Sequence, residues 1–276
     1  LFVRERDRAF MSAHHPESFA SQFEKLSGLT EWIAWAIAMV LVFGVLSIAM
    51  IANSKAAIEW GMYIAIGGLG IGLIIKGFFD ARFLDRETKL ASQQVAILEE
   101  VDDFDTFLDR APISVFRSHI DNLYTISLSQ PDVYQDNLIE VLHSRLMAKN
   151  RVVELFASIL ITLGLIGTIL GLIMMMDGLS AALATPSGGD GLLDKIADPD
   201  SGPLAGLGTA FYTTLAGAIF GGVILRVLTS VIDASIMRYT AHLAELTEVH
   251  VLPYMRQLAK DREHQRLLER ERSHEA

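Results

Sequence analysis

The chain of 276 residues contains no cysteine. This absence excludes disulfide bonds, thiol nucleophiles and cysteine-ligated metal centres. The short motifs of common enzymes are absent as well, since the chain has no GxSxG elbow, no HExxH helix and no Walker loop. We therefore expect a protein that is not an enzyme, with no cofactor, no catalytic residues and no metal ligands.

Basic residues are nearly missing from two parts of the chain. Of the 23 lysines and arginines, only Lys55 and Lys195 fall in the loops that follow the first and third apolar runs. Lysine and arginine are enriched in cytoplasmic loops, so this distribution places both termini and the middle region in the cytoplasm. The net charge of −10 also makes the chain a poor nucleic-acid binder.

Apolar residues are abundant and make up 51% of the sequence. They concentrate in four runs, each close to or above the roughly 20 residues that cross a bilayer. We therefore predict an all-α membrane protein with four transmembrane helices. The runs cover residues 32–52, 60–79, 153–176 and 204–230.

The organisation of the chain follows from these runs. Helical spacing of apolar residues in the middle region predicts two or three cytoplasmic helices, the last continuing into the third span. The pattern after the fourth span predicts a long cytoplasmic helix with a kink near Pro253. The predicted parts are a cytoplasmic segment 1–30, a transmembrane hairpin 31–80, a helical insert 81–152, spans three and four at 153–230 with an external loop 177–203, and a helical tail 231–276.

Two acidic stretches lie outside the spans. The run at residues 99–105, EEVDDFD, is typical of a solvated helix face, and a docking surface for a partner is the alternative. The external loop 177–203 contains several aspartates among glycines and prolines. We expect an irregular loop with turn chemistry there, and a cation site is the alternative.

Small and hydroxyl residues form stripes on the third and fourth spans. At 100° per residue, each stripe covers an arc of about 100° to 140°. Such stripes are explained by close helix packing, or they line a polar path that receives another helix. The stripes consist of Gly164, Gly167, Thr168 and Gly171 on the third span, and of Gly206, Thr209, Ala210, Thr213, Thr214, Gly217 and Gly221 on the fourth.

No Asp, Glu, Lys, Arg or His lies at mid-membrane depth in any predicted span. A proton path needs an ionisable relay, because hydroxyl groups do not hold a proton near neutral pH. If this chain serves a proton path, another polypeptide must supply the carboxylate.

At these two spans the sequence resembles the MotA/TolQ/ExbB family. "GLIGTILGL" resembles the family's GxxGTxxG pattern, and "GPLAGLGTAFYTTLAGAIFGG" resembles its last-span motif. The segment "TTLAG" is similar to the TTLYG form of MotA-type stators. Four spans with a cytoplasmic insert resemble the MotA-like branch, whose members include flagellar stators and Zorya-type motor subunits.

The resemblance implies an ion-conducting subunit of a motor driven by the proton-motive force in the bacterial inner membrane. It implies a homopentamer around a single-span partner of the MotB/TolR/ExbD type that carries a membrane Asp. By position, Thr168 and Thr214 would face the ion path, and Thr213 extends a hydroxyl pair that sodium-driven stators also show. Thr209 occupies the site where ExbB-type proteins carry a glutamate, which argues against that branch.

The resemblance has limits in the cytoplasmic regions. The middle region does not match the charged pattern through which flagellar stators push their rotor, and the charged tail differs from the short MotA end. The transported ion is expected to be H⁺, with Na⁺ as the alternative. A passive membrane scaffold, whose tail recruits cytoplasmic proteins, is the alternative from another functional class.

Overall fold

The computed structural model of the chain describes residues 28–53, 57–101, 104–129, 134–184, 189–198, 202–257 and 260. The regular structure in these residues is helical throughout, with no strand. Four helices are long and apolar enough to cross a membrane. The prediction of an all-α membrane protein with four spans is confirmed.

The helices follow each other in a simple order. A π-helical turn, Ala218–Ile224, joins α7 to α8, and a second π-helical turn, Thr247–Val251, follows α8. The helices are α1 (Gly28–Asn53), α2 (Ala57–Glu100), α3 (Phe104–Arg110), α4 (Val115–Ser129), α5 (Asp136–Ala184), α6 (Gly189–Ile196), α7 (Pro203–Gly217) and α8 (Leu225–Leu246).

The acidic run at residues 99–105 is not one helix face. Helix α2 ends at Glu100, and α3 begins at Phe104. Phe104 and Phe107, at the start of α3, are almost completely buried. The run therefore does not lie on a single helix, and its role as a solvated surface or as a docking surface for a partner stays a prediction.

The loop predicted at residues 177–203 is also more helical than expected. Helix α5 continues through the strong helix formers of "LSAALA" to Ala184, and α6 adds two further turns. Glycine and proline become frequent only after this point, so the sequence breaks the helix later than the end of the apolar run. Residues 1–27 of the predicted N-terminal segment and residues 261–276 of the predicted tail lie outside the described residues.

The chain forms two compact units. The insert unit comprises the described residues of 28–31, 82–144 and 235–260. Its core contains the fully buried side chains of Phe107, Phe116, Ile120, Leu243 and Leu252. Glu31 accepts a hydrogen bond of 2.6 Å from the Arg238 guanidinium and so ties the start of α1 to α8 within this unit.

Buried polar groups of the insert unit hold the start of α4. Glu87 accepts a 2.7 Å bond from the backbone N–H of Val115. The hydroxyl of Ser114 accepts a bond from the Arg117 N–H and donates to Gln94 Oε1 at 2.9 Å. These contacts satisfy the free N–H groups of the first helical turn and connect it to α2.

The disturbance expected near Pro253 has the form of a π-helical turn. Proline has no N–H, and its ring clashes with the carbonyl four residues earlier. The helix widens over Thr247–Val251, where the N–H of Leu252 donates to the Thr247 carbonyl five residues back. Residues 252–257 then continue as α-helix.

The span unit comprises the described residues of Trp32–Ala81 and Arg145–Ala234. Its core consists of side chains from α2, α5, α7 and α8. Outside this core most large apolar side chains of α1 and α5 are exposed, as expected for surfaces that meet lipid or other helices. The buried core residues are Ile66, Leu73, Val153, Ala157, Leu160, Ala216 and Leu225.

Candidate functional site

Glycine residues bring the backbones of α5 and α7 into direct contact. A Cβ atom placed on Gly217 would lie only 2.7 Å from the carbonyl oxygen of Leu160. Cβ atoms on Gly171 and Gly206 would each lie 2.6 Å from the carbonyl oxygen of the other residue. No side chain fits at these three positions without displacing a backbone, so the contact depends on glycine.

The same seam continues along both helices. A Cβ on Gly164 would lie 3.0 Å from the Thr213 carbonyl oxygen, and Gly167 faces the Thr213 side chain. Ala210 is buried against Gly171, and Gly221 lies against Ala157. We call this contact between α5 and the α7 helix with its π-helical turn the glycine seam.

Thr168 and Thr214 meet at one edge of the glycine seam, and their hydroxyl groups are hydrogen-bonded to each other. The Thr168 hydroxyl is also placed to donate to the Gly164 carbonyl at 3.2 Å. The Thr214 hydroxyl lies 2.9 Å from the Ala210 carbonyl and 3.4 Å from the Gly164 carbonyl. Both threonines are half-buried, so part of each residue remains exposed in the single chain.

Thr209 and Thr213 lie in a different environment from this pair. Both are completely buried inside the span unit. The Thr209 hydroxyl donates to the Ala205 carbonyl at 3.1 Å, and the Thr213 hydroxyl donates to the Thr209 carbonyl at 2.8 Å. The structure therefore brings Thr168 and Thr214 together at a surface, and it places Thr209 and Thr213 in the interior.

The chemistry of the threonine pair follows from its hydrogen bonds. Each hydroxyl has one proton to donate and two lone pairs to accept. When the protons are used within the pair and on backbone carbonyls, lone pairs remain on both oxygens. The pair can thus accept a hydrogen bond from a protonated carboxyl group, or it can offer oxygen ligands to a small hard cation.

The π-helical turn Ala218–Ile224 is a feature that sequence reasoning missed. Within it the N–H of Leu225 donates to the Phe220 carbonyl, five residues back. The uniform rotation of 100° per residue, which placed Gly221 on the stripe of α7, therefore does not apply beyond Gly217. The adjacent glycines Gly221 and Gly222, which weaken a helix, are the only sequence signal for this turn.

The fold and the seam define a helical membrane protein in which two spans pack through glycine and present a hydroxyl pair. The model of the MotA/TolQ/ExbB proton channel family matches residues 112–245 of the chain. This stretch includes α4, α5, the glycine seam and all four threonines. Over these residues the chain is similar to a family of proton channels that serve motors and transport systems.

No curated protein and no solved structure matches the chain.

Proposed function

We propose that the chain is the ion-conducting subunit of a membrane motor driven by the proton-motive force. In this proposal five copies surround a single-span partner of the MotB/TolR/ExbD type, and ion flow produces rotation or force. The hydroxyl pair of Thr168 and Thr214 carries the proposal, since it is half-buried and lies at the edge of the glycine seam. The family match over residues 112–245 supports it.

A partner with an intramembrane carboxylate supplies the proton-carrying group that the predicted spans of this chain lack. The predicted spans contain no ionisable side chain at mid-membrane depth. A hydroxyl pair can stabilise a carboxyl group through a hydrogen bond, but it cannot store the proton itself near neutral pH. The partner's Asp therefore carries the proton in this proposal, and the threonine pair binds the carboxyl group while it changes charge.

The roles of the four threonines differ in the proposal. We assign the contact with the ion or the carboxylate to Thr168 and Thr214, which are only partly buried in the single chain. Thr209 and Thr213 are fully buried within a single copy, and assembly of several copies cannot uncover them. We assign them to the packing of α7 on α5, so their place in the ion path stays a prediction that single substitutions can test.

The proposed setting is the bacterial inner membrane, with both termini in the cytoplasm. Lysine and arginine are nearly absent from the loops after the first and third spans, and this supports the orientation.

The central test replaces the hydroxyl pair in the assembled complex. Thr168→Val together with Thr214→Val keeps the shape and removes both hydroxyls. Ion flux through proteoliposomes that contain the partner should fall about tenfold or more, because a hydrogen bond to a charged group contributes roughly 1.5–3 kcal/mol. Copies of the variant should still assemble, which imaging of the purified complex measures.

Thr162→Val is the matched control. Thr162 lies on α5 with Thr168 and is exposed, and among the described residues its hydroxyl donates to the Ser158 carbonyl at 3.0 Å. Its substitution should leave ion flux unchanged. Unchanged flux in the double variant, or equal loss in the control, would refute the assignment of the pair.

The same preparation identifies the ion and the oligomer. Flux that follows a proton gradient in the absence of sodium supports H⁺, and flux that requires a sodium gradient supports the Na⁺ version of the motor. Imaging should show five copies around Asp-bearing single-span helices. An assembly without a central partner would favour a passive scaffold over the motor.

A further inference from the structure

A buried amide joins α5 to α8, the helix that follows α7 and its π-helical turn. Asn150 of α5 is only 4% exposed. Its Nδ2 donates to the Thr229 carbonyl at 3.2 Å and to Asp233 Oδ1 at 2.7 Å, both on α8. A backbone carbonyl only accepts, so the Asn150 amide nitrogen must face α8.

The oxygen of the Asn150 side-chain amide accepts no hydrogen bond from the described residues. Asn150 Oδ1 is buried and has no hydrogen-bond partner among the described residues. The nearby hydroxyl of Thr229 does not serve it, because that hydroxyl donates to the Leu225 carbonyl at 2.6 Å. A buried acceptor without a donor costs about 1–3 kcal/mol, so a group that could donate to it would be stabilised.

The charges at this end of the span unit are distributed unevenly. Asp80 of α2 is held by two cations, Lys76 and Lys149, the second at 3.2 Å. Asp233 pairs with no cation in the described part of the chain, and its hydrogen bond comes from the neutral amide of Asn150. The other charged residues nearby along α5 and α8 are Arg145, Arg151, Glu154 and Arg226, which are exposed, and Arg238, which pairs with Glu31.

We propose that Asn150 and Asp233 form a proton-dependent latch between α5 and α8. With Asp233 ionised, the latch consists of the amide N–H that donates to its carboxylate. When Asp233 takes up one proton, its O–H donates to Asn150 Oδ1 while its other oxygen still accepts from one amide N–H, and the second amide N–H keeps the Thr229 carbonyl. Protonation thereby adds a bond between the helices and satisfies the buried acceptor.

The use of the latch rests on the proposed function. Helices α5 and α7 contact each other through glycine, so few side chains oppose a small displacement along the seam. A latch that tightens when Asp233 takes up a proton would stabilise one of two positions of α5 relative to α7 and α8. Asp233 would thus couple the position of the threonine-bearing helices to the proton concentration on its side of the membrane.

The test needs no partner and no ion flux. The chain has no cysteine, so single cysteines at the exposed positions Val152 and Ser230 accept spin labels without removing others. The distance between the labels on α5 and α8 is measured in lipid nanodiscs from about pH 8 to about pH 3, a range that extends below the ordinary aspartate pKa of about 3.9. We expect the distance distribution to shift on acidification.

Two isosteric variants decide the origin of the shift. Asp233→Asn cannot titrate and should abolish the pH-dependent shift. Asp80→Asn removes the neighbouring carboxylate and should retain it. An infrared difference spectrum between the same pH values should show a protonated-carboxyl band that is lost only in Asp233→Asn.

The latch is refuted if the wild-type distances do not change with pH, or if Asp233→Asn shifts as the wild type does. These results are independent of the flux experiment on Thr168 and Thr214. Failure of that experiment would remove the proposed use of the latch and leave the label distances as they are.

Discussion

At the residue scale, the hydroxyl groups of the third and fourth spans fall into two environments. Thr213 bonds to the backbone of its own helix and is sealed against Gly167. Thr214, one residue further, points to Thr168 and remains half-exposed. Neighbouring side chains on a helix point about 100° apart, so one residue separates an interior position from an accessible one.

Glycines of the span unit should differ in the same way. Gly217→Ala places a methyl group 2.7 Å from the Leu160 carbonyl oxygen and forces α5 and α7 apart. We expect a loss of about 1–3 kcal/mol in stability, the usual cost of overpacking. The loss should appear as a lower thermal unfolding temperature of the purified protein.

Gly72→Ala is the control for this prediction. Gly72 lies on α2, and a Cβ there has no neighbour within 4 Å among the described residues. Alanine is a better helix former than glycine, so the stability should stay within about 1 kcal/mol of the wild type or rise slightly. Equal losses at both positions would show that the backbone contact at Gly217 does not limit the packing.

At the scale of single elements, the first turn of α4 depends on contacts from α2. Ser114→Ala removes the acceptor of the Arg117 N–H and the donor to Gln94. The loss of such a cap costs about 0.5–2 kcal/mol. Hydrogen exchange should show faster exchange of the first amides of α4, whereas the exposed Ser118→Ala should leave their protection unchanged.

The helices themselves could be predicted from the sequence, since long apolar runs and helical spacing carry a strong signal. The ends could not. Helix α2 ends at Glu100 and α3 begins with the buried Phe104, and burial in a core is a tertiary property that local spacing does not show. The sequence predicted a disturbance near Pro253 but not its π-helical form, and it did not predict the turn Ala218–Ile224, because an extra residue in a turn leaves the local composition unchanged.

Part of the candidate site could be predicted from the sequence. The small residues of the two spans were visible as stripes, since a regular helix fixes their direction. Which hydroxyl faces outward depends on how far α7 is rotated against α5, and that rotation is set by Gly164, Gly206 and Gly217 acting together. The Asn150–Asp233 contact could not be predicted, because both residues lie just outside the predicted apolar runs, where polar residues are common.

At the scale of the whole molecule, the two units bury different kinds of groups. Among the described residues, the buried polar side chains of the span unit are Asn150 and three threonines, none of which is ionisable, whereas the insert unit buries Glu87 and His119. Buried polar groups require partners in a fixed geometry. The stability of the insert unit should therefore respond to pH.

His119 makes this response measurable. Burial lowers the pKa of His119 from 6.5 to about 4, and a hydrogen bond with Gln135 opposes the shift. The fold thus favours the neutral ring. Its contribution to stability is complete above about pH 6.5 and is lost as the pH falls toward and through 4, with about 2 kcal/mol lost near pH 5.

Chemical unfolding of the full chain at about pH 7 and about pH 5 measures this loss as a change in the free energy of unfolding. His119→Gln keeps a polar side chain that does not titrate, so its stability should change less between the two pH values. The interpretation is incorrect if the variant and the wild type lose the same stability.

The π-helical turn Ala218–Ile224 also has an evolutionary consequence. A π turn holds one residue more than an α-helical path of similar rise, which is how a single inserted residue is absorbed inside a helix. A related protein whose last span is regular would therefore align with this chain through a one-residue gap close to Gly221 and Gly222, within the membrane. Placing that gap in the loop before the span would pair the wrong threonines, and a functional hydroxyl in one protein would be compared with a packing hydroxyl in the other.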